Sequence, residues 1–140
     1  MTDAGLIHLK GLSNLKILNL LNTQVTGSGL INLKGLRNLT MLGLSETKVT
    51  DSDLVYLKEL KSLDSLFLHR TQVTDDGIKQ LSELKNLNTL GLNGTKVTDA
   101  GLENLMGMTK LVGLMVENSK VTDAGVKDLQ DALPKCEIFK

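Results

Sequence analysis

The chain has 140 residues, of which 41% are apolar and 23% charged, the balance of an ordinary globular protein with one core. Its 16 basic and 16 acidic side chains cancel and are interleaved, so no net field draws it to phosphate backbones or anionic lipid, and neither nucleic acid nor a membrane surface is expected as a partner. No apolar run approaches the roughly 18–20 residues that cross a bilayer, and residues 1–20 read as repeat with no separate signal-peptide core.

Val-Thr-Asp-Ala-Gly at 97–101 returns at 121–125, and variants of it recur every 24 residues back to Met1. Units beginning at Met1, Val25, Val49, Val73, Val97 and Val121 account for the whole chain, which predicts a single repeat domain over 1–140. A fixed period of this length, with leucines at set offsets, marks a solenoid whose coils bury their apolar faces only against one another.

In chain order, each unit predicts a helix and then a short strand. The helix starts are marked by Thr74, Thr98 and Thr122, N-caps that accept from orphan backbone N–H groups, and by Asp75, Asp99 and Asp123 on the first-turn dipole. The spacing of Ile78, Leu81 and Leu84 predicts helix, with ends near Asn14, Asn38, Ser62, Asn86 and Lys110, where Asn tolerates a left-handed turn. Strands follow wherever apolar residues alternate, as at Leu90 and Leu92. The count is five helices and six strand segments. In the last unit Pro134 stops the helix, Asp128 and Asp131 make its outer face polar, and Cys136 and Ile138 alternate like a closing strand, so that the unit reads as a C-terminal cap.

Leu87-x-x-Leu90-x-Leu92-x-x-Thr95 resembles the signature of leucine-rich-repeat proteins, with Thr where Asn or Cys is commonest. The Val-Thr-Asp-Ala-Gly-Leu starts are similar to those of bacterial repeats of this family and of its cysteine-containing subclass. The resemblance covers the whole chain and identifies no activity. It implies an α/β fold, a right-handed β/α solenoid with a parallel sheet on the concave face and α-helices on the convex face. Strands about 4.8 Å apart against helices needing about 8–10 Å bend such a stack into an arc.

Two polar columns read as scaffold. Thr23, Thr47, Thr71, Thr95 and Ser119 are placed to satisfy backbone groups of the turn leaving each strand. Asp3, Asp51, Asp75, Asp99 and Asp123 read as helix caps; Gly27 interrupts them, and no unit supplies the further oxygens that Ca²⁺ requires. One cysteine, Cys136, reads as a small core residue in a chain that needs no oxidising compartment. Together with His8 and His69 it does not meet zinc spacing. His69 has no nucleophile in motif context, and the Gly-x-Gly at 27–29 lacks the third glycine of a phosphate loop. No cofactor is implied, and the chain reads as a non-catalytic module.

A protein or peptide partner is expected on the concave strip that flanks the buried strand leucines. Phe67 is the centre of that expectation, because the chain has two phenylalanines, one tyrosine and no tryptophan, and this ring projects between Gly43 and Gly91. Met41 and Met115 share its face as adaptable apolar contacts. Ser65, His69, Arg70, Thr89, Asn93 and Glu117 are the polar contacts expected around it. The alternative for Phe67 is that it folds over the glycines and only covers backbone. A second expectation concerns the first unit, where Leu6, Leu9, Leu12, Leu15, Leu18 and Leu20 face an empty neighbour position, open to excision from a longer protein, to docking of a subunit or to edge-to-edge self-association.

Overall fold

In the computed structural model, which describes residues 1–140, six short strands lie side by side in one parallel sheet: β1 (Ile17–Asn19), β2 (Met41–Gly43), β3 (Ser65–Phe67), β4 (Thr89–Gly91), β5 (Gly113–Met115) and β6 (Glu137–Phe139). Their register is that of the repeat, since Leu18 pairs with Leu42, Leu42 with Leu66, Leu66 with Leu90, Leu90 with Leu114 and Leu114 with Ile138. The central residue of each strand points inward and its two neighbours point outward, as period-two geometry requires.

Helical returns close the coils behind the sheet. They are α1 (Asp3–Leu6), α2 (Gly27–Leu30), α3 (Asp75–Leu81), α4 (Asp99–Glu103) and α5 (Asp123–Ala132), and the third coil returns through a 3₁₀ helix, Asp51–Glu59. No helix is long and apolar enough to cross a membrane. Sheet and returns enclose one continuous core of 34 buried side chains, mostly leucine. Each fully buried leucine contributes about 1.5–3 kcal/mol relative to an exposed one, so stacking is the dominant stabilising term.

The helices are shorter than the spacing predicts. The returns end at Leu9, Leu33, Glu59, Leu81 and Glu103 rather than near Asn14, Asn38, Ser62, Asn86 and Lys110. The cause is visible in the leucines, which recur every third residue at Leu30, Leu33, Leu36 and Leu39 and again at Leu54, Leu57, Leu60 and Leu63. That is the period of a 3₁₀ turn, and the backbone bonds are of that type: the N–H groups of Leu36 and Leu39 donate to the carbonyls of Leu33 and Leu36.

The left-handed positions also differ from expectation. Asn22, Glu46, Arg70 and Asn118 have φ of 52°, 57°, 53° and 56°, and Gly94 has 69°, so in five coils a left-handed residue stands after the strand; Gly11, with φ of 93°, is the one positive-φ residue near a helix end. The helix-end asparagines have another task. Asn38 Nδ2 donates to the Ser13 carbonyl and Asn86 Nδ2 to the Lys61 carbonyl, both at 2.8 Å, and each bond ties a coil to the one before it.

The threonine column acts as expected. Thr47, Thr71 and Thr95 are buried, and their hydroxyls donate to the carbonyls of Leu44, Leu68 and Leu92 at 2.6, 2.7 and 2.7 Å. The aspartates instead cap the next coil: Asp3, Asp51, Asp75 and Asp99 accept the backbone N–H of Thr26, Thr74, Thr98 and Thr122 with one oxygen and the hydroxyl with the other. Thr26, Thr98 and Thr122 also accept from N–H groups of their own helices, whereas Thr74 makes no such cap bond.

Cys136 is buried in the core, and burial raises its thiol pKa above the ordinary value. In the first coil Leu6 and Leu20 are fully buried, Leu9, Leu15 and Leu18 are half-buried, and Leu12 and Leu21 are exposed. The first coil is thus more open than the second, where the counterparts Leu33, Leu36, Leu39 and Leu42 are fully buried, and Met1, Ile7 and Ile17 are exposed beside it.

Candidate functional site

The repeat register brings the side chains of the outer strand face into three rows. The row between the two inward positions runs Asn19, Gly43, Phe67, Gly91, Met115 and Phe139. The row that follows the second inward position runs Leu21, Ser45, His69, Asn93 and Glu117. The missing side chain at Gly43 opens a trough of about 520 Å³ between coils.

Gly43 and Ser45 form the floor of the trough. Asn19, Leu21 and Met41 stand on the side of the first coils, and Phe67, His69 and Asn93 on the other. Glu46 and Arg70 cross the rim, where Arg70 donates to Glu46 at 3.0 Å. Both of those side chains are solvated, so the pair is worth at most about 1 kcal/mol.

Phe67 leans toward β4. A β-carbon at Gly91 would stand 2.9 Å from Phe67 Cδ1 and 2.4 Å from both Cε1 and Nε2 of His69, so the two rings occupy the room that Gly91 leaves. They stack with centroids 5.8 Å apart and planes inclined by 30°. Phe67 thus covers the Gly91 backbone, as its alternative reading expects, and still walls an open trough on the Gly43 side.

A ladder of side-chain to backbone bonds holds this wall. His69 N–H donates to Ser45 Oγ at 3.2 Å, Asn93 N–H to His69 Nδ1 at 3.0 Å and Glu117 N–H to Asn93 Oδ1 at 3.0 Å. Asn93 Nδ2 also donates to Glu117 Oε2 at 2.9 Å. Partial burial pushes the His69 pKa below its ordinary value; the Glu117 carboxylate opposes this and the Arg70 guanidinium adds to it. The ring is therefore neutral at pH 7, with Nδ1 as acceptor and the proton on Nε2.

Of the nine residues that the sequence nominates, Met41, Phe67, His69, Arg70 and Asn93 line the trough. Ser65 and Thr89 lie on the preceding row, where the Ser65 hydroxyl donates to Asp64 at 2.9 Å. Glu117 continues the ladder, while Met115 lies beyond Gly91, beside Phe139. Asn19, Leu21, Gly43, Ser45 and Glu46 line the trough without having been nominated. The register could have found Phe139, which is half-exposed and stands one repeat after Met115.

The fold has counterparts among solved structures. Over 94% of its length the chain superposes on internalin C2 of Listeria monocytogenes with a TM-score of 0.75 and 26% identity. The chain has the leucine-rich-repeat fold. A leucine-rich-repeat protein of Leptospira interrogans (TM-score 0.73, 23% identity, 96% of this chain) and an internalin, InlF, of Listeria monocytogenes (0.58, 20%, 96%) share the fold. The leucine-rich-repeat chain spans 55% of internalin C2, 33% of the Leptospira protein and 50% of InlF. No family model and no curated protein sequence matches it.

Proposed function

We propose that residues 1–140 act as a non-catalytic interaction module that binds a protein or peptide in the concave trough walled by Phe67 and His69. The observation that carries this reading is the stacked ring pair that leans over Gly91 beside an open, glycine-floored space of about 520 Å³. A rigid aromatic wall next to accessible Leu21 and adaptable Met41 has the composition of an interaction hot spot. Likeness to leucine-rich-repeat solenoids, which present extended concave surfaces, supports the same reading.

The experiment is affinity capture with the parent chain beside a Phe67→Ser, Met41→Ser variant of equal circular dichroism and melting temperature. A protein retained by the parent is expected to be lost by the variant, because removing a hot-spot anchor costs about 2 kcal/mol or more. Equal retention by both chains rejects the trough as the binding site.

A further inference from the structure

Resting on that reading, we propose that the trough receives an apolar side chain flanked by a carboxylate, such as a Leu-Asp or Leu-Glu step in an extended segment of a protein partner. A backbone N–H can only donate, so each side-chain atom it meets must be an acceptor.

Leu21 N–H donates to Asn19 Oδ1 at 3.0 Å, His69 N–H to Ser45 Oγ, and Asn93 N–H to His69 Nδ1. Three acceptors of the trough are thereby occupied within the chain. Each of these side chains keeps a donor, Asn19 Nδ2, the Ser45 hydroxyl proton and, over Gly91, His69 Nε2–H, while Asn19 Oδ1 and Ser45 Oγ keep one further lone pair each. Ser45 is 6% exposed, so its free hydroxyl proton faces little but the trough. Asn93 Oδ1 accepts from Glu117 N–H and its Nδ2 gives one hydrogen to the Glu117 carboxylate, which leaves it a second amide hydrogen.

At the rim, Arg70 uses one nitrogen on Glu46 and keeps further N–H groups of its five. Glu46 is the one anionic group in the trough and is already engaged by Arg70. A donor-lined, glycine-floored space with Leu21, Met41 and Phe67 around it is complementary to an oxygen acceptor carried next to an apolar side chain. A carboxylate answers both the donors and the guanidinium, and charge-assisted bonds of this kind are the stronger ones.

The test uses short capped peptides, Gly-Gly-Leu-Asp-Gly-Gly and its Asn and Lys counterparts, titrated into the ¹⁵N-labelled chain. The Asp peptide is expected to shift the amides of Gly43, Ser45 and His69 and to bind roughly tenfold more tightly than the other two. In a Glu46→Gln, Arg70→Gln variant, which removes both rim charges, the preference for Asp over Asn is expected to shrink toward parity. Equal or tighter binding of the Lys peptide overturns the proposal, as does an Asp peptide that moves none of those amides. A proton found on His69 Nδ1 by imidazole ¹⁵N shifts also overturns it.

Failure here is distinguishable from failure of the trough itself. If the Lys peptide wins and its binding is lost in Phe67→Ser, concave recognition stands and the carboxylate assignment falls. If no peptide shifts the trough while a captured protein still depends on Phe67, the assignment alone falls.

Discussion

His69 carries two duties in one ring: it stacks on Phe67, and through Nδ1 it accepts the N–H of the next coil. The accepting role requires an unprotonated Nδ1, and partial burial lowers the pKa in the same direction. The unfolded chain, with an imidazole near its ordinary 6.5, takes up a proton at higher pH than the folded chain does. Where the unfolded state binds more protons, stability rises with pH, so this contribution is complete above that value and is lost as pH falls toward the depressed folded pKa. His69→Asn provides the control, because Asn93 already performs the same accepting role toward Glu117. Urea unfolding between about pH 8 and pH 5 should show the parent losing stability relative to His69→Asn across the imidazole range. Parallel pH profiles would show that the ladder bond does not discriminate between the two ring states. A second decline, at carboxylate pH, belongs to Asp3 and Asp99. Desolvation raises the Asp3 pKa, but hydrogen bonds from Ser28, Thr26 and Gly29 outweigh it; at Asp99 the bonds from Thr122 lead. Both pKa values are lowered in the fold, so their contribution is present above the ordinary 3.8 and disappears as pH falls through the folded values.

Among the elements, the carboxylate that caps each coil shows what the sequence discloses and what it withholds. A β-carbon at Gly29, Gly77, Gly101 or Gly125 would stand 2.4 Å or less from an oxygen of Asp3, Asp51, Asp75 or Asp99, so the glycine column exists to admit the previous coil's carboxylate. In one pair the arrangement is reversed. Gly27 stands where Asp belongs and Asp53 where Gly belongs; Asp53 fills the room above Gly27 and accepts from the N–H and hydroxyl of Thr50 at 2.8 and 2.9 Å. In sequence the two residues are separate irregularities that resemble drift, and only the stacking of coils reveals one compensated exchange. Asp53→Gly alone should cost about 1–2 kcal/mol by leaving the Thr50 N–H without its acceptor. Gly27→Asp alone should cost a similar amount or more, because its carboxylate meets that of Asp53. The double variant Gly27→Asp, Asp53→Gly restores the pattern of the other coils and should recover most of the loss, a coupling of about 1–3 kcal/mol by chemical denaturation. Additive losses would mean that the two positions act independently.

At the scale of the whole molecule, the repeat register made the sheet, its strand order and its inward leucines legible, because one column of Leu18, Leu42, Leu66, Leu90 and Leu114 has only one way to stack. The extent of the helices is less legible, because a leucine period of three resembles one of 3.6 until the difference accumulates beyond the second turn. Phe67, His69 and Met41 were found because exposed bulk beside glycine is conspicuous in sequence, whereas the donors of Asn19 and Ser45 emerge only once their acceptors are seen to be occupied. The stack also has a mechanical consequence, since every inner coil buries its leucines against two neighbours and none has a core of its own. Leu66, fully buried in β3, lies at the middle of that column. Leu66→Ala should cost about 2–5 kcal/mol, whereas Val55→Ala on the exposed outer side should stay within about 0.5 kcal/mol. In hydrogen exchange the N–H of Leu44, bonded to the Phe67 carbonyl, and that of Leu68, bonded to the Gly91 carbonyl, should lose protection together in Leu66→Ala. They report the coils on either side of the cavity, and a stack held by nearest-neighbour contacts loosens on both sides of a weakened unit. Loss of protection confined to β3 would instead show that each coil holds its own strand, and the trough between coils would then need a support other than the shared core.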